Sequence, residues 1–325
     1  MHQEIKDKTD ELYMRRCLQL AACGRQNAKP NPMVGAVIVC RGRIIGEGYH
    51  VRCGEGHAEV NAFASVRPED EALLADSTMY VSLEPCSHYG KTPPCADLIV
   101  SKGVRRVVVG CIDPFAKVQG RGIARLRDAG IDVTVGVLEA DCLRLNRRFI
   151  TFNTHQRPYI LLKWAQSADA FIDDHGAAAR FSTPFTTMLM HRLRSECDAI
   201  LVGRVTDERE HPRLDVREWS GPSPRLDVRE WSGPSPRRIV LGGGQHLDDL
   251  MRSLHADGVQ TLMVEGGGAT LRSFIAAGLW DELRRETAPF CVGDGTAAPT
   301  LPPTCRLISR QSVDGNVIEL FEKAL

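Results

Sequence analysis

The chain has 325 residues, about two domains' worth at the hundred to two hundred residues that one domain occupies. Lys plus Arg and Asp plus Glu both number 41, so the formal charge is zero and no overall positive field gathers nucleic acid or anionic lipid. With 43% hydrophobic and 25% charged residues the composition is that of an ordinary globular protein, and the apolar runs Val34–Val39 and Val107–Val109 fall far short of the roughly twenty residues a membrane helix needs.

The charged start (Glu4, Lys6, Asp7, Lys8, Asp10, Glu11) lacks the apolar core of a signal peptide, so a cytoplasmic protein is expected. Leu12, Met14, Cys17, Leu18, Ala21 and Ala22 recur at helical spacing within Lys8–Asn27, ended by Gly24 and the breakers Pro30, Asn31 and Pro32. Met33–Cys40 and Ile44–Tyr49 read as a hairpin about Gly42. A helix over His57–Val66, a strand over Thr78–Leu83, a helix over Pro94–Lys102 and a strand over Arg106–Gly110 complete a β-β-α-β-α-β order, which predicts a three-layer α/β/α domain. Ile123–Ala129 and Val133–Val137 add a helix and a strand, and a helix over Glu139–Phe149 leads into the polar stretch Asn153–Arg157. The expected domains are therefore 1–152 and 153–325.

The second half opens on a strand over Tyr159–Trp164, then a helix over Pro184–Cys197 and a strand over Ala199–Gly203. A strand over Thr261–Val264 stops at Glu265-Gly266-Gly267-Gly268, and helical spacing resumes over Thr270–Ala277. Strand, glycine turn and helix can cradle a phosphate, because glycine admits close backbone approach and the helix start offers free N–H groups. Arg213–Pro224 (RLDVREWSGPSP) recurs unchanged as Arg225–Pro236, too short and too few for a solenoid. It reads as a local duplication with one copy in register and the other looped out, since loop insertions cost little closure entropy.

Eleven cysteines, an odd number in a reducing compartment, read as buried thiols with room for a metal site and not as a disulfide framework. His57-Ala58-Glu59, followed after a strand by Pro85-Cys86 and then Cys95, is the strongest signal in the chain. One imidazole and two thiolates are three of the four ligands of tetrahedral zinc, and a fourth position left to water marks a catalytic site. Glu59 is placed to carry protons as general acid and base. Zinc-dependent nucleobase deaminases share this arrangement, with a closer cysteine pair than the eight intervening residues here. The plainer alternative is three separate buried residues.

The stretch Glu84-Pro85-Cys86-Ser87-His88-Tyr89-Gly90-Lys91-Thr92-Pro93-Pro94-Cys95 resembles the bifunctional riboflavin-biosynthesis deaminase/reductase family, the RibD type. Pro30-Asn31-Pro32, Val34-Gly35, Gly46-Glu47-Gly48-Tyr49-His50, Asp113-Pro114 and Gly120-Arg121-Gly122 extend the resemblance over nearly all of residues 10–150. It implies a cytidine-deaminase-like first domain and a dihydrofolate-reductase-like α/β second domain. The implied reactions are hydrolytic deamination of 2,5-diamino-6-ribosylamino-4-pyrimidinone 5'-phosphate and then NADPH reduction of the ribosyl group to ribityl. By the same resemblance His57, Cys86 and Cys95 hold Zn2+ and Glu59 shuttles protons. Asn31, His50, His88, Lys91 and Thr92 would meet the phosphorylated pyrimidine. Taken alone, Asn31 is equally a turn residue, His50 a hairpin-end histidine and Lys91 a solvated loop charge.

In the second half Lys163, Ser167, Asp169, Arg194, Gly203, Thr206, Pro212, Leu214, Arg217, Glu265, Gly266, Gly267, Leu279, Asp281 and Glu282 match the family. The resemblance places Thr206, Glu210, Gly266, Gly267 and Gly268 on NADPH, and Arg194, Arg217 and Glu265 on the reductase substrate. It also implies a homo-oligomer, while zero net charge and the lack of a membrane-length apolar run lead to the expectation of no nucleic-acid or membrane partner. Three departures stand out: Ala170 where the family has glycine, Glu210-His211-Pro212 for Asp-x-Pro, and an apparent shortening after Leu241 that would remove a strand and expose a sheet edge. A deaminase with a degenerate reductase half is the alternative. A nucleic-acid base deaminase is a further one, opposed by zero net charge and 6% aromatics. A binding protein with a closed, structural zinc is a third.

Overall fold

The computed structural model describes residues 2–88, 93–114, 119–217 and 235–323, which form two compact units, Met1–His155 and Gln156–Leu325. Lys91 and Thr92 lie outside the described residues.

In the first unit, helix α1 (His2–Cys23) precedes the hairpin β1 (Gly35–Cys40) and β2 (Arg43–Tyr49). There follow α2 (Ala58–Ala64), a 3-10 segment (Pro68–Asp76), β3 (Thr78–Leu83), α3 (Cys95–Ser101), β4 (Arg106–Cys111), α4 (Arg121–Asp128), β5 (Asp132–Val135), α5 (Glu139–Leu145) and α6 (Arg147–His155). The sheet order is β2-β1-β3-β4-β5, antiparallel across β1 and parallel from β3 to β5. Strands β1, β3 and β4 are buried along nearly their whole length, so their sequences GAVIVC, TMYVSL and RVVVGC read as continuous apolar runs instead of alternating. Residues of α2, α3 and α4 pack one face through Ala62, Ile99 and Leu126, and those of α1 and α5 the other through Met14, Cys17 and Cys142. The result is the expected α/β/α layering.

Two close approaches position the site. A Cβ on Gly48 would lie 2.5 Å from the Ala62 nitrogen, so β2 and α2 touch backbone to backbone and His57 is carried to the sheet's end. The helix expected over Glu139–Phe149 breaks at Asn146, whose side chain accepts the Met33 N–H at 2.8 Å and donates to the Met33 carbonyl at 2.9 Å. That pair pins the loop bearing Asn31, and α6 continues through most of the stretch read as a linker.

The second unit contains β6 (Tyr159–Gln166), α7 (Pro184–Ser195), β7 (Ala199–Gly203), α8 (Arg204–Glu210) and β8 (Arg237–Leu241). It ends with α9 (Leu247–Ala256), β9 (Thr261–Gly266), α10 (Gly268–Ala276), β10 (Glu282–Thr287), β11 (Cys305–Val313) and β12 (Asn316–Lys323). The sheet order is β11-β12-β10-β6-β9-β7-β8, parallel from β10 to β8 and antiparallel at β12 and β11. Strand β8 stands at the edge, paired with β7 among the described residues. Of the duplicated segment, Leu214 of the first copy is buried against Leu161, Met190 and Ile200, Val216 is also buried, and the Val216 N–H donates to Ser235 Oγ of the second at 3.2 Å. Residues 218–234, most of the two copies, are outside the described residues.

Ala170 explains one departure from the family pattern. It closes the turn after β6 with φ +65, donating its N–H to the Ser167 carbonyl at 3.1 Å. An L-residue pays about 1–2 kcal/mol in that left-handed region, which glycine avoids. Ala170 is exposed, so its methyl group has little packing to lose. Ala170→Gly is expected to stabilise the second unit by about 1 kcal/mol, seen as a melting temperature raised by about 2–4 °C. An unchanged or lowered melting temperature would contradict the strain.

Candidate functional site

His57 is the extended residue immediately before α2, and Glu59 lies in that helix's first turn, 3% exposed. Cys86 follows the end of β3, and Cys95 begins α3. The two cysteine segments are stitched together: the Cys95 N–H donates to Cys86 Sγ at 3.3 Å and the Ala96 N–H to the Cys86 carbonyl at 3.1 Å. His57 Nδ1 is 3.3 Å from Cys95 Sγ and 3.6 Å from Cys86 Sγ. All three donor atoms lie within 4.8 Å of one another, and among the described residues they are the one such group able to hold a metal. Zn–S near 2.3 Å and Zn–N near 2.05 Å put the edges of a zinc tetrahedron at about 3.5 Å, so the donor separations fit that ion.

The protons are arranged to suit a cation. A hydrogen bond from the Cys95 thiol, with His57 nearby, lowers Cys86 to about 4, while Cys95 is raised by that same bond and by burial. His57 is raised chiefly by its hydrogen bond to Cys86. Burial pushes Glu59 up to about 7, near neutrality for a proton carrier.

A cavity of about 270 Å³ opens beside these groups, lined by Asn31, His50, His57, Glu59, Cys86 and His88 among others. His50 Nδ1 is 3.1 Å from the Gly56 carbonyl, which can only accept, so Nδ1 carries the proton. Nε2 then accepts from Asn31 Nδ2 at 3.1 Å. This is the neutral tautomer, and burial lowers the His50 pKa in the same sense. Asn31 and His50 are therefore brought to one wall with the metal-ligand group. Asp113, Phe149 and Asn153 also line the cavity. Asp113 was visible only as part of a family motif, and Phe149 and Asn153 read as helix end and linker.

The second unit holds a cavity of about 720 Å³, with Thr206, Glu210, Glu265 and Gly266–Gly268 on its wall. Gly267 has φ +66, and a Cβ there would lie 2.8 Å from Thr206 Oγ1. The turn thus needs glycine for its conformation and its closeness to α8, and it leaves the first amides of α10 facing the cavity end, a cradle suited to a nucleotide phosphate. Arg194 and Arg217 are not on this wall. Arg194 forks onto Glu265 at 2.8 and 2.7 Å and donates to the Asp215 carbonyl at 3.3 Å, while Arg217 pairs with the Asp215 carboxylate. Their cationic groups are taken up by carboxylates of the chain itself. Lys163, which the sequence reading left without a role, lines the cavity, and burial lowers its pKa despite the nearby Glu265.

Comparison with known proteins bears on both cavities. Residues 7–111 match the model described as the cytidine and deoxycytidylate deaminase zinc-binding region, and residues 158–246 and 240–313 match the RibD C-terminal domain. The chain is 35% identical over 319 residues to the riboflavin biosynthesis protein RibD of Aquifex aeolicus, covering 88% of each. It is 34% identical to that of Bacillus amyloliquefaciens, covering 90% of this chain and 87% of the relative. The crystal structure of a diaminohydroxyphosphoribosylaminopyrimidine deaminase/5-amino-6-(5-phosphoribosylamino)uracil reductase from Thermotoga maritima superposes with a TM-score of 0.86 at 30% identity, over 98% of this chain and 100% of that one. No helix among the described residues is long and apolar enough to cross a membrane.

The buried carboxylates of the second unit make its stability acid-labile. Burial alone would raise Glu265 and Glu286, but hydrogen bonds from Arg194 to the first and from Thr186 and Asn316 to the second, with the charges of Lys163 and Arg284, leave both below the ordinary value. Their contribution is full above the unfolded value of about 4.3 and is lost as pH falls through the depressed folded values. The denaturant midpoint of the second unit's transition is expected to fall between pH 5 and pH 3, with Glu265→Gln flattening that dependence. A midpoint insensitive to pH there would count against the network.

Proposed function

The chain belongs to the RibD family of riboflavin-biosynthesis proteins, carrying deaminase and reductase activities, and from that membership we propose how its residues divide the work. The first unit removes the ring amine of 2,5-diamino-6-ribosylamino-4-pyrimidinone 5'-phosphate by hydrolysis. The second reduces the ribosyl group of the product to ribityl with NADPH. The observation that carries this reading is the convergence of His57, Cys86 and Cys95 beside buried Glu59 on the wall of one cavity.

His57, Cys86 and Cys95 would hold zinc, which supplies a bound water acidic enough to act as nucleophile at neutral pH. Glu59 takes a proton from the attacking water and returns it to the departing amine, the task for which its raised pKa suits it. Asn31 and His50 orient the pyrimidine: their mutual hydrogen bond leaves the Asn31 carbonyl oxygen available to the ring's donors. His88 sits on the same wall, and with Lys91 and Thr92 it would meet the sugar phosphate. In the second unit Gly266, Gly267 and Gly268 with Thr206 and Glu210 form the cofactor wall. Glu265 and Lys163 face the reductase substrate. Arg194 acts through Glu265, whose carboxylate it holds charged and oriented. Arg217 flanks that group through Asp215.

Glu59→Gln should retain one zinc per chain while ammonia release falls about 10³-fold, because an amide cannot accept the proton. The same variant should still oxidise NADPH when given the deaminated intermediate. Cys86→Ser should lose zinc and destabilise the first unit. Turnover retained in Glu59→Gln would remove Glu59 from proton transfer, and absence of NADPH oxidation by the wild-type chain would leave the second unit a scaffold.

A further inference from the structure

We infer that Glu84 is a positioning residue of the deamination site, holding Asp113 and the first turn of α4 against the Pro85–Cys86 turn. Glu84 follows β3 directly and is 4% exposed. Its Oε1 accepts the N–H groups of Gly122 at 2.9 Å and Ile123 at 3.3 Å, and its Oε2 those of Gly120 at 2.9 Å and Asp113 at 3.3 Å. Four backbone donors satisfy a carboxylate that burial would otherwise penalise, and the positive end of α4 favours its charge. Glu84 also donates its own N–H to the Cys111 carbonyl at 3.0 Å, closing the gap between the ends of β3 and β4.

These bonds join the end of β3 to the Asp113 wall and to the start of α4. Cys86, two residues on, is already secured through Ala96 and Cys95. Asp113, by contrast, forms part of the cavity wall facing His57 and Glu59. Packing is tight at the junction, since a Cβ on Gly122 would fall 2.0 Å from the Pro85 carbonyl oxygen. Glu84 therefore sets how far the Asp113 wall stands from the metal ligands, and the substrate's fit depends on it more than the metal does.

The inference rests on the deaminase reading, and its test includes a measurement that needs no substrate. Glu84→Gln keeps the shape but replaces one acceptor oxygen by an amide that confronts N–H groups. Amide hydrogen exchange at Asp113, Gly120, Gly122 and Ile123 should accelerate about tenfold or more, zinc should stay at one per chain, and KM for deamination should rise about tenfold with kcat within about twofold. Gly122→Ala, which pushes α4 from Pro85 while the Glu84 carboxylate itself is kept, should reproduce the rise in KM. Wild-type exchange rates at those amides, or an unchanged KM in both variants, or kcat falling together with zinc content, would overturn the inference. Ammonia release by the wild-type chain checks the deaminase reading separately.

Discussion

Two thiols, an imidazole and a carboxyl group packed together, with Cys95 and Glu59 buried and His57 and Cys86 half-buried, bring potential negative charge to a place where burial penalises it. The rest of the first unit depends on how that is resolved. Burial pushes Glu59 up to about 7, the hydrogen bond between the two cysteines and burial raise Cys95, and that same bond lowers Cys86 to about 4. A dication among the three donors would balance that charge and free the protons for transfer. The fold supplies the geometry by placing the end of β3, the start of α3 and the start of α2 at one end of the sheet, where strand termini converge.

The second unit answers the same constraint with its own cations. Glu265 and Glu286 are buried with Lys163, Arg194 and Arg284, so charge is balanced by side chains and the pKa shifts follow from those partners. Such a network is costly to break from one side, because the surviving charge is left buried. It also explains why Arg194, read as a substrate ligand, points instead to Glu265. An arginine at a family-matching position looks free in a sequence; whether a carboxylate has already claimed it is decided by a strand some seventy positions later.

Where the sequence was legible, a single physical signal dominated. The β-β-α-β-α-β order predicted a sheet covered on both faces, which the buried runs of β1, β3 and β4 match, and His57, Glu59, Cys86 and Cys95 carried chemistry that few other patterns share. The misses have equally specific causes. Strand β10 reads ELRRET, a surface-like run, yet Glu282, Arg284 and Glu286 are buried because they pair inside the unit. Helix α8 has no buried residue and hence no apolar period to find. The break between α5 and α6 depends on Asn146 bonding to Met33, more than a hundred positions away, which no local window contains. Asp113 and Glu84 were quoted only as motif letters, since a carboxylate whose partners are backbone amides leaves no pattern of side chains to read.

The central claim is one nitrogen and two sulfurs on a zinc ion whose fourth position belongs to solvent. X-ray absorption at the zinc edge of the purified protein tests it directly. The account predicts two sulfur scatterers near 2.3 Å and two light-atom scatterers near 2.0–2.1 Å, one of them exchangeable with added small anions. A shell with three or four sulfurs, or one that no added anion perturbs, would mean a closed structural site and would contradict it.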